Sequence, residues 1–254
     1  MVDLTLITCL APCLSGGGTS RDVVDLLVPL LGSGVPLVVY VDREFKEELE
    51  GRLAGQPVRL EDSSPERRRS SIGSIAELER LRAASTLPGI PPLDTFVVTL
   101  TKMGMLHDQS IWDPFGTRHL AWIDADIARS VHPRYLAGLR LLDALPCLLP
   151  RFLLMARSTP TADAAGRAAA SRVQGQFFGG ATDAIPEVNA LYYRLLDDLL
   201  RQGELPTEES ILTGLLDRHP ERFDRFVLQE NGLLGAFFEE MRTGRVPIER
   251  TLIY

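Results

Sequence analysis

The chain has little cysteine, almost no lysine and no long hydrophobic run, and each scarcity removes a class of protein. Three cysteines in 254 residues (Cys9, Cys13 and Cys147) are too few, and odd in number, for a disulfide framework. Cys9 and Cys13 stand as C-x-x-x-C with no second pair nearby, which fits buried thiols better than a metal site. The uncharged apolar stretch at residues 26–41 is too short to span a membrane, and Pro29, Gly32, Gly34 and Pro36 interrupt it. The N-terminus carries Asp3 and no basic region before an apolar run, so no secretory signal is expected and the cytoplasm is the default compartment. The 27 basic and 34 acidic residues leave a net charge of −7, which argues against binding to a nucleic-acid backbone. Arg67-Arg68-Arg69 is the only basic run and reads as a solvated loop.

Familiar catalytic and nucleotide motifs are missing too. Gly16-Gly17-Gly18 follows the first strand candidate, but no glycine stands where G-x-G-x-x-G needs its third. No Gly-Lys-Ser/Thr follows to make a P-loop. There is no G-x-S-x-G elbow and no context for a cysteine nucleophile. His107, His119, His132 and His219 are too scattered to form a metal cluster.

What remains is ordinary globular material, 45% hydrophobic and 24% charged. A chain of this length can bury roughly 70–75% of its unfolded surface. Strand and helix signals alternate, which predicts an α/β fold with a mainly parallel sheet covered by helices. Strands are expected at 4–8, 35–41, 56–60, 119–127, 151–156 and 176–180, the last running into a tight turn at Gly179-Gly180. Helices are expected at 20–31, 43–53, 74–84, 133–145, 186–202, 208–219 and 221–242. The segment 94–105 is ambiguous, and the spacing of Leu100, Met103 and Leu106 favours helix. Residues 61–73 carry no periodicity and read as a mobile loop. Ser74 with Glu77 forms a capping-box pattern, and Trp112 to Thr117 a turn.

The strongest chemical candidate is Asp124-Ala125-Asp126. With 17 aspartates in the chain, about one D-x-D is expected by chance, so context must decide. A strand over 119–127 would send Trp122, Asp124 and Asp126 to one face, with the two aspartate Cα atoms about 7 Å apart. Two aspartates in register inside a strand are costly unless something compensates them. A divalent cation is one such compensation, since Mg²⁺ or Mn²⁺ is commonly held by one or two carboxylates with water and phosphates completing the shell. The competing reading is a strand end whose carboxylates cap a turn. Glu208-Glu209, at a helix start after Thr207, offers a second carboxylate pair. Acids favour the positive end of a helix in any case, and the functional reading makes one of the two a general base or a group that positions the acceptor. Lys102 admits a phosphate contact or an ordinary surface position. Gly179 and Gly180 permit close backbone approach to a ligand or simply a turn.

The order of these segments resembles the HtrL/WlaTC family, itself similar to GT-A-fold glycosyltransferases. It runs from an arginine-bearing loop at Arg21 and a strand ending in Asp42 to Thr101-Lys102-Met103, Trp122-Ile123-Asp124, Gln176-Phe177-Phe178-Gly179-Gly180 and Thr207-Glu208-Glu209. The likeness covers roughly residues 4–230. It implies a single GT-A-like domain with an open, mixed but mainly parallel sheet. Residues 1–130 would then hold a nucleoside-diphosphate sugar, and residues 131–254 an acceptor, either a small molecule or a glycan. By position, Asp124 and Asp126 would bind Mn²⁺ or Mg²⁺, and Thr8, Asp42 and Lys102 would contact the nucleotide. Gly179 and Gly180 would border the sugar, and Glu208 or Glu209 would serve the acceptor. Nucleotidyl transfer and a non-catalytic binding domain are the alternatives.

Overall fold

The computed structural model describes residues 3–10, 20–85, 91–127, 151–157, 172–228 and 248–250. Among the described residues, eight strands form one sheet in the order β3-β2-β1-β4-β6-β5-β7-β8. They are β1 (Leu4–Leu10), β2 (Leu37–Val41), β3 (Val58–Asp62), β4 (His119–Ile123), β5 (Phe152–Arg157), β6 (Val173–Ala181), β7 (Phe223–Leu228) and β8 (Ile248–Arg250). Four of the seven pairings are parallel, and β6 runs against both β4 and β5. The architecture is an open mixed α/β sheet flanked by helices, as the sequence leads one to expect.

The helices are α1 (Ser20–Leu31), α2 (Arg43–Arg52), α3 (Pro65–Ser70), α4 (Ile75–Ala84), α5 (Leu93–Trp112), α6 (Ile185–Arg201) and α7 (Glu208–Arg218). Both faces of the sheet are covered, which is why the central strands read as unbroken apolar runs in place of alternating ones. Leu6, Leu10, Val39 and Ile123 pack with Leu27 and Leu30 of α1 on one face. Ile7, Val38, Leu120 and Trp122 pack with α5, α6 and α7 on the other.

Several local expectations give way to tertiary forces. Residues 61–73 are not a loop: β3 extends through Asp62, and Ser64 caps α3 by accepting from the Arg67 N–H. Within the basic run, Arg68 is 5% exposed and pairs with Asp42 at 3.3 Å. A short helix of 6 residues is too brief to show periodicity, and its burial depends on α5 lying beside it. Ser74 begins α4 without a side-chain cap because its hydroxyl donates to Asp197 Oδ1 of α6 at 2.9 Å. The helix expected at 221–242 starts instead as a 3₁₀ turn and then β7, whose parallel pairing with β5 buries Phe223 and Phe226. Gly179 and Gly180 lie inside β6 with no tight turn. A β-carbon on Gly179 would meet Ala121 Cα at 2.5 Å, and one on Gly180 would meet Phe152 Cα at 2.9 Å. The two glycines let β6 sit tightly between its neighbours. The helix expected at 133–145 lies outside the described residues, as do Gly16-Gly17-Gly18.

Candidate functional site

The chain runs outward from β1 through β2 to β3, then returns to place β4 on the other side of β1. The carboxyl ends of β1 and β4 therefore flank a topological switch point, where open α/β sheets form their ligand crevice. β4 ends at Ile123, and the next residue is Asp124.

Asp124 is held from three directions. Its backbone N–H donates to Gln176 O at 2.9 Å, tying it to the antiparallel strand β6. Its Oδ1 accepts from Trp122 Nε1 at 2.8 Å and lies 2.8 Å from Lys102 Nζ. Lys102 comes from the middle of α5 and is buried, with its ammonium 5.5 Å from the Trp122 ring centre. The same ammonium reaches Glu208 Oε2 at 3.0 Å and donates to Gly175 O at 3.1 Å. An ammonium has three N–H donors, and here three protein acceptors surround it. Lys102 is thus engaged within the protein and presents no spare donor to a phosphate.

Glu208 enters from the first turn of α7. Thr207 and Ser210 cap each other reciprocally there, fixing where the helix begins and aiming Glu208 and Glu209 at the start of β6. Glu208 is 6% exposed and lies under Gly175, where a β-carbon would come within 2.8 Å of its Cδ. Glu209 is half-buried, and its Oε1 accepts from Gly175 N at 3.3 Å. Burial pushes the Glu208 carboxyl up to about 8; Lys102 opposes the rise and Asp124 adds to it. Burial works against the charge on Lys102, but Asp124 and Glu208 outweigh it and hold the ammonium above its ordinary range. The Lys102 ammonium thus lies between the carboxyl groups of Asp124 and Glu208, and burial favours the protonated form of Glu208.

The sequence-predicted residues divide. Asp124, Lys102, Glu208 and Glu209 come together around Gly175. Asp126 does not share a strand face with Asp124, because the strand stops at Ile123 and a turn, closed by Ile127 N to Asp124 O at 3.1 Å, carries Asp126 into solvent. Both carboxylates still belong to one turn at the switch point. Thr8 is buried in β1 on the α1 side of the sheet, with its hydroxyl unpartnered among the described residues. Asp42 sits at the start of α2 and faces Arg68. Gly179 and Gly180 lie near the other end of β4, paired with Ala121 and Leu120. Among the described residues, no three His, Cys, Asp or Glu side chains gather as metal ligands. The sequence reading missed Gly175 and the anchoring role of Trp122. An isolated glycine inside a strand was the available signal for close packing.

No family model and no curated protein matches the chain, so the likeness to the HtrL/WlaTC family stays a resemblance. Among solved structures, the chain is similar to mouse xyloside xylosyltransferase 1 in its apo form, at 12% identity and a TM-score of 0.46, covering 87% of this chain and 83% of that one. It is similar to core-mannan synthase A from Aspergillus fumigatus in a Mn/GDP form, at 12% identity and a TM-score of 0.47, covering 89% and 73%. It is also similar to 4-diphosphocytidyl-2C-methyl-D-erythritol synthase from Anaerococcus prevotii, at 11% identity and a TM-score of 0.42, covering 91% and 88%. Likenesses this distant carry no activity across, and the functional reading rests on the site itself. Among the described residues no helix is long and apolar enough to cross a membrane.

Proposed function

We propose that the chain is a metal-dependent glycosyltransferase that moves a sugar from a nucleoside-diphosphate sugar to a hydroxyl acceptor. The observation that supports this most is Asp124 at the carboxyl end of β4, beside the switch point, with its side-chain contacts to Trp122 and Lys102 both falling on Oδ1. Asp126 follows two residues later and is the exposed member of the turn. Two carboxylates in such a turn suit Mn²⁺ or Mg²⁺, which take one or two protein carboxylates and leave other positions to water and substrate phosphates. When bound, the dication would screen the charge on the departing diphosphate.

The protein's own residues hold and orient. Lys102 and Trp122 fix the Asp124 carboxylate, so its second oxygen points the same way before and after a donor binds. Glu208 braces Lys102 from below, and its burial under Gly175 keeps it away from any acceptor. The acceptor-side role therefore falls to Glu209, at the start of α7. In the transfer, the acceptor oxygen bonds to the anomeric carbon as the bond from that carbon to the diphosphate oxygen breaks, and the hydroxyl proton passes to Glu209. Residues 1–130 supply the donor side of this reading, and residues 131–254, with β6 and α7, the acceptor side.

Calorimetry with Mn²⁺ and UDP or GDP tests the assignment. Wild-type protein should bind one of these nucleotides more tightly with Mn²⁺ than without, and Asp124→Asn should abolish the difference. Equal affinity in the two proteins overturns the reading.

A further inference from the structure

A cavity of about 300 Å³ opens between α3, α5 and α6, beside the carboxyl ends of β2 and β3. Its volume is at the lower end for small-molecule sites, suited to a mono- or disaccharide. The walls include the rings of Tyr40 and Tyr193 and the backbone at Gly104. The Tyr40 hydroxyl is already used, donating to Met105 O at 3.2 Å and accepting from Gln109 Nε2 at 2.8 Å, so it is the ring that this residue offers. Gly104 lets the Tyr193 ring pack against α5: a β-carbon there would come within 2.5 Å of Tyr193 Oη.

Three polar atoms on lining residues lack partners among the described residues. Arg68, 5% exposed, has an unpartnered Nε donor, Asn189 of α6 an unpartnered Oδ1 acceptor, and Tyr193 of α6 an unpartnered hydroxyl. Buried polar groups are rarely left so. Donor, acceptor and hydroxyl together suit ligand hydroxyls, which both donate and accept. The charges of the cavity argue against an anion. Arg68 is matched by Asp42 at 3.3 Å and Arg67 by Asp108 at 3.5 Å, while Asp62 adds a further carboxylate. An anion would find no unmatched cation and would face acids on two sides, whereas a neutral ring with hydroxyls on its rim would find aromatic faces and mixed donors and acceptors.

We propose that this cavity binds a neutral saccharide, separately from the nucleotide crevice. The inference does not rest on the transferase reading. Saturation-transfer NMR and calorimetry with methyl glucoside, methyl mannoside, N-acetylglucosamine, lactose and inorganic phosphate test it. At least one saccharide should bind wild-type protein saturably. Asn189→Leu should weaken that binding about tenfold, the loss of one hydrogen bond to a buried group. Ser71→Phe, a substitution at an exposed rim position, should block it while circular dichroism and Mn²⁺-nucleotide binding stay unchanged. The proposal is overturned if no saccharide binds, if phosphate alone binds, or if binding survives both cavity variants and is lost in Asp124→Asn, which would move the saccharide to the crevice.

Discussion

The carboxyl group of Glu208 lies against the Cα of Gly175, in space that any other residue would fill with its own side chain. That contact lets one buried glutamate reach Lys102 beneath the sheet while Lys102 holds Asp124 at its edge. A strand, a long helix and a helix start thus meet at one ammonium.

Replacing Gly175 with alanine should displace Glu208 and break its contact with Lys102. Overpacking of this kind costs ~1–3 kcal/mol, so the urea midpoint should fall measurably. The carbonyl of residue 175 and the Glu209 contact would shift with it, and nucleotide affinity should drop as Lys102 loses its brace. A variant with wild-type stability would show that Glu208 has room to move aside.

Lys102→Met removes the only cation from the cluster and leaves Asp124 and Glu208 uncompensated. Breaking a buried pair by deleting one partner costs ~3–5 kcal/mol. The double variant Lys102→Met/Glu208→Leu should recover part of that loss, because an apolar pair no longer strands a carboxyl group. A double-mutant comparison by urea unfolding measures the recovery, and strictly additive losses would deny the coupling.

The protonation of Glu208 makes stability depend on pH with a definite sign. Its folded value, about 8, lies above the ordinary 4.5. Between these values the unfolded chain releases the proton and the folded chain keeps it, so this group's contribution is fully present below 4.5 and is lost as pH rises through 8. Glu208→Gln should remove this slope. The melting temperature of wild type minus that of the variant should therefore decline from pH 5 to pH 8.5, and a difference that rises with pH would mean that Glu208 is held ionised.

Gly179 and Gly180 separate a structural role from a ligand-bordering one. Alanine at either position drives a β-carbon into neighbouring strand backbone, which does not give way as a flexible side chain does. Both variants should lose stability or fail to fold. Binding of Mn²⁺ and nucleotide per folded molecule should be unchanged in whichever variant folds. Intact stability with weakened donor binding would return these glycines to the sugar site.

Much of the scaffold was legible because its signals are local. The helix of Ser20–Leu31 and the helix start at Thr207 follow from stop and cap residues within a few positions. The apolar runs of β1 and β2 announce strands covered on both faces. Arg68 was misread because its burial depends on a helix more than twenty residues further along. Ser74 was misread because Asp197, over a hundred residues away, competes for its hydroxyl. Gly179 and Gly180 resemble a turn in sequence, and only the close strands on either side show why glycine is needed there.

The sequence by itself determined the α/β alternation, the acidic character and the presence of carboxylates at a strand end and a helix start, since periodicity, composition and capping act over a few residues. Tertiary structure alone decided which of those carboxylates is buried and which is exposed. Glu208 and Glu209 are neighbours in the chain with the same chemistry, yet one sits under Gly175 against an ammonium and the other lies half-open beside it. That difference is set by how α7 docks on β6, and the energy of a charge depends on its surroundings as much as on its identity.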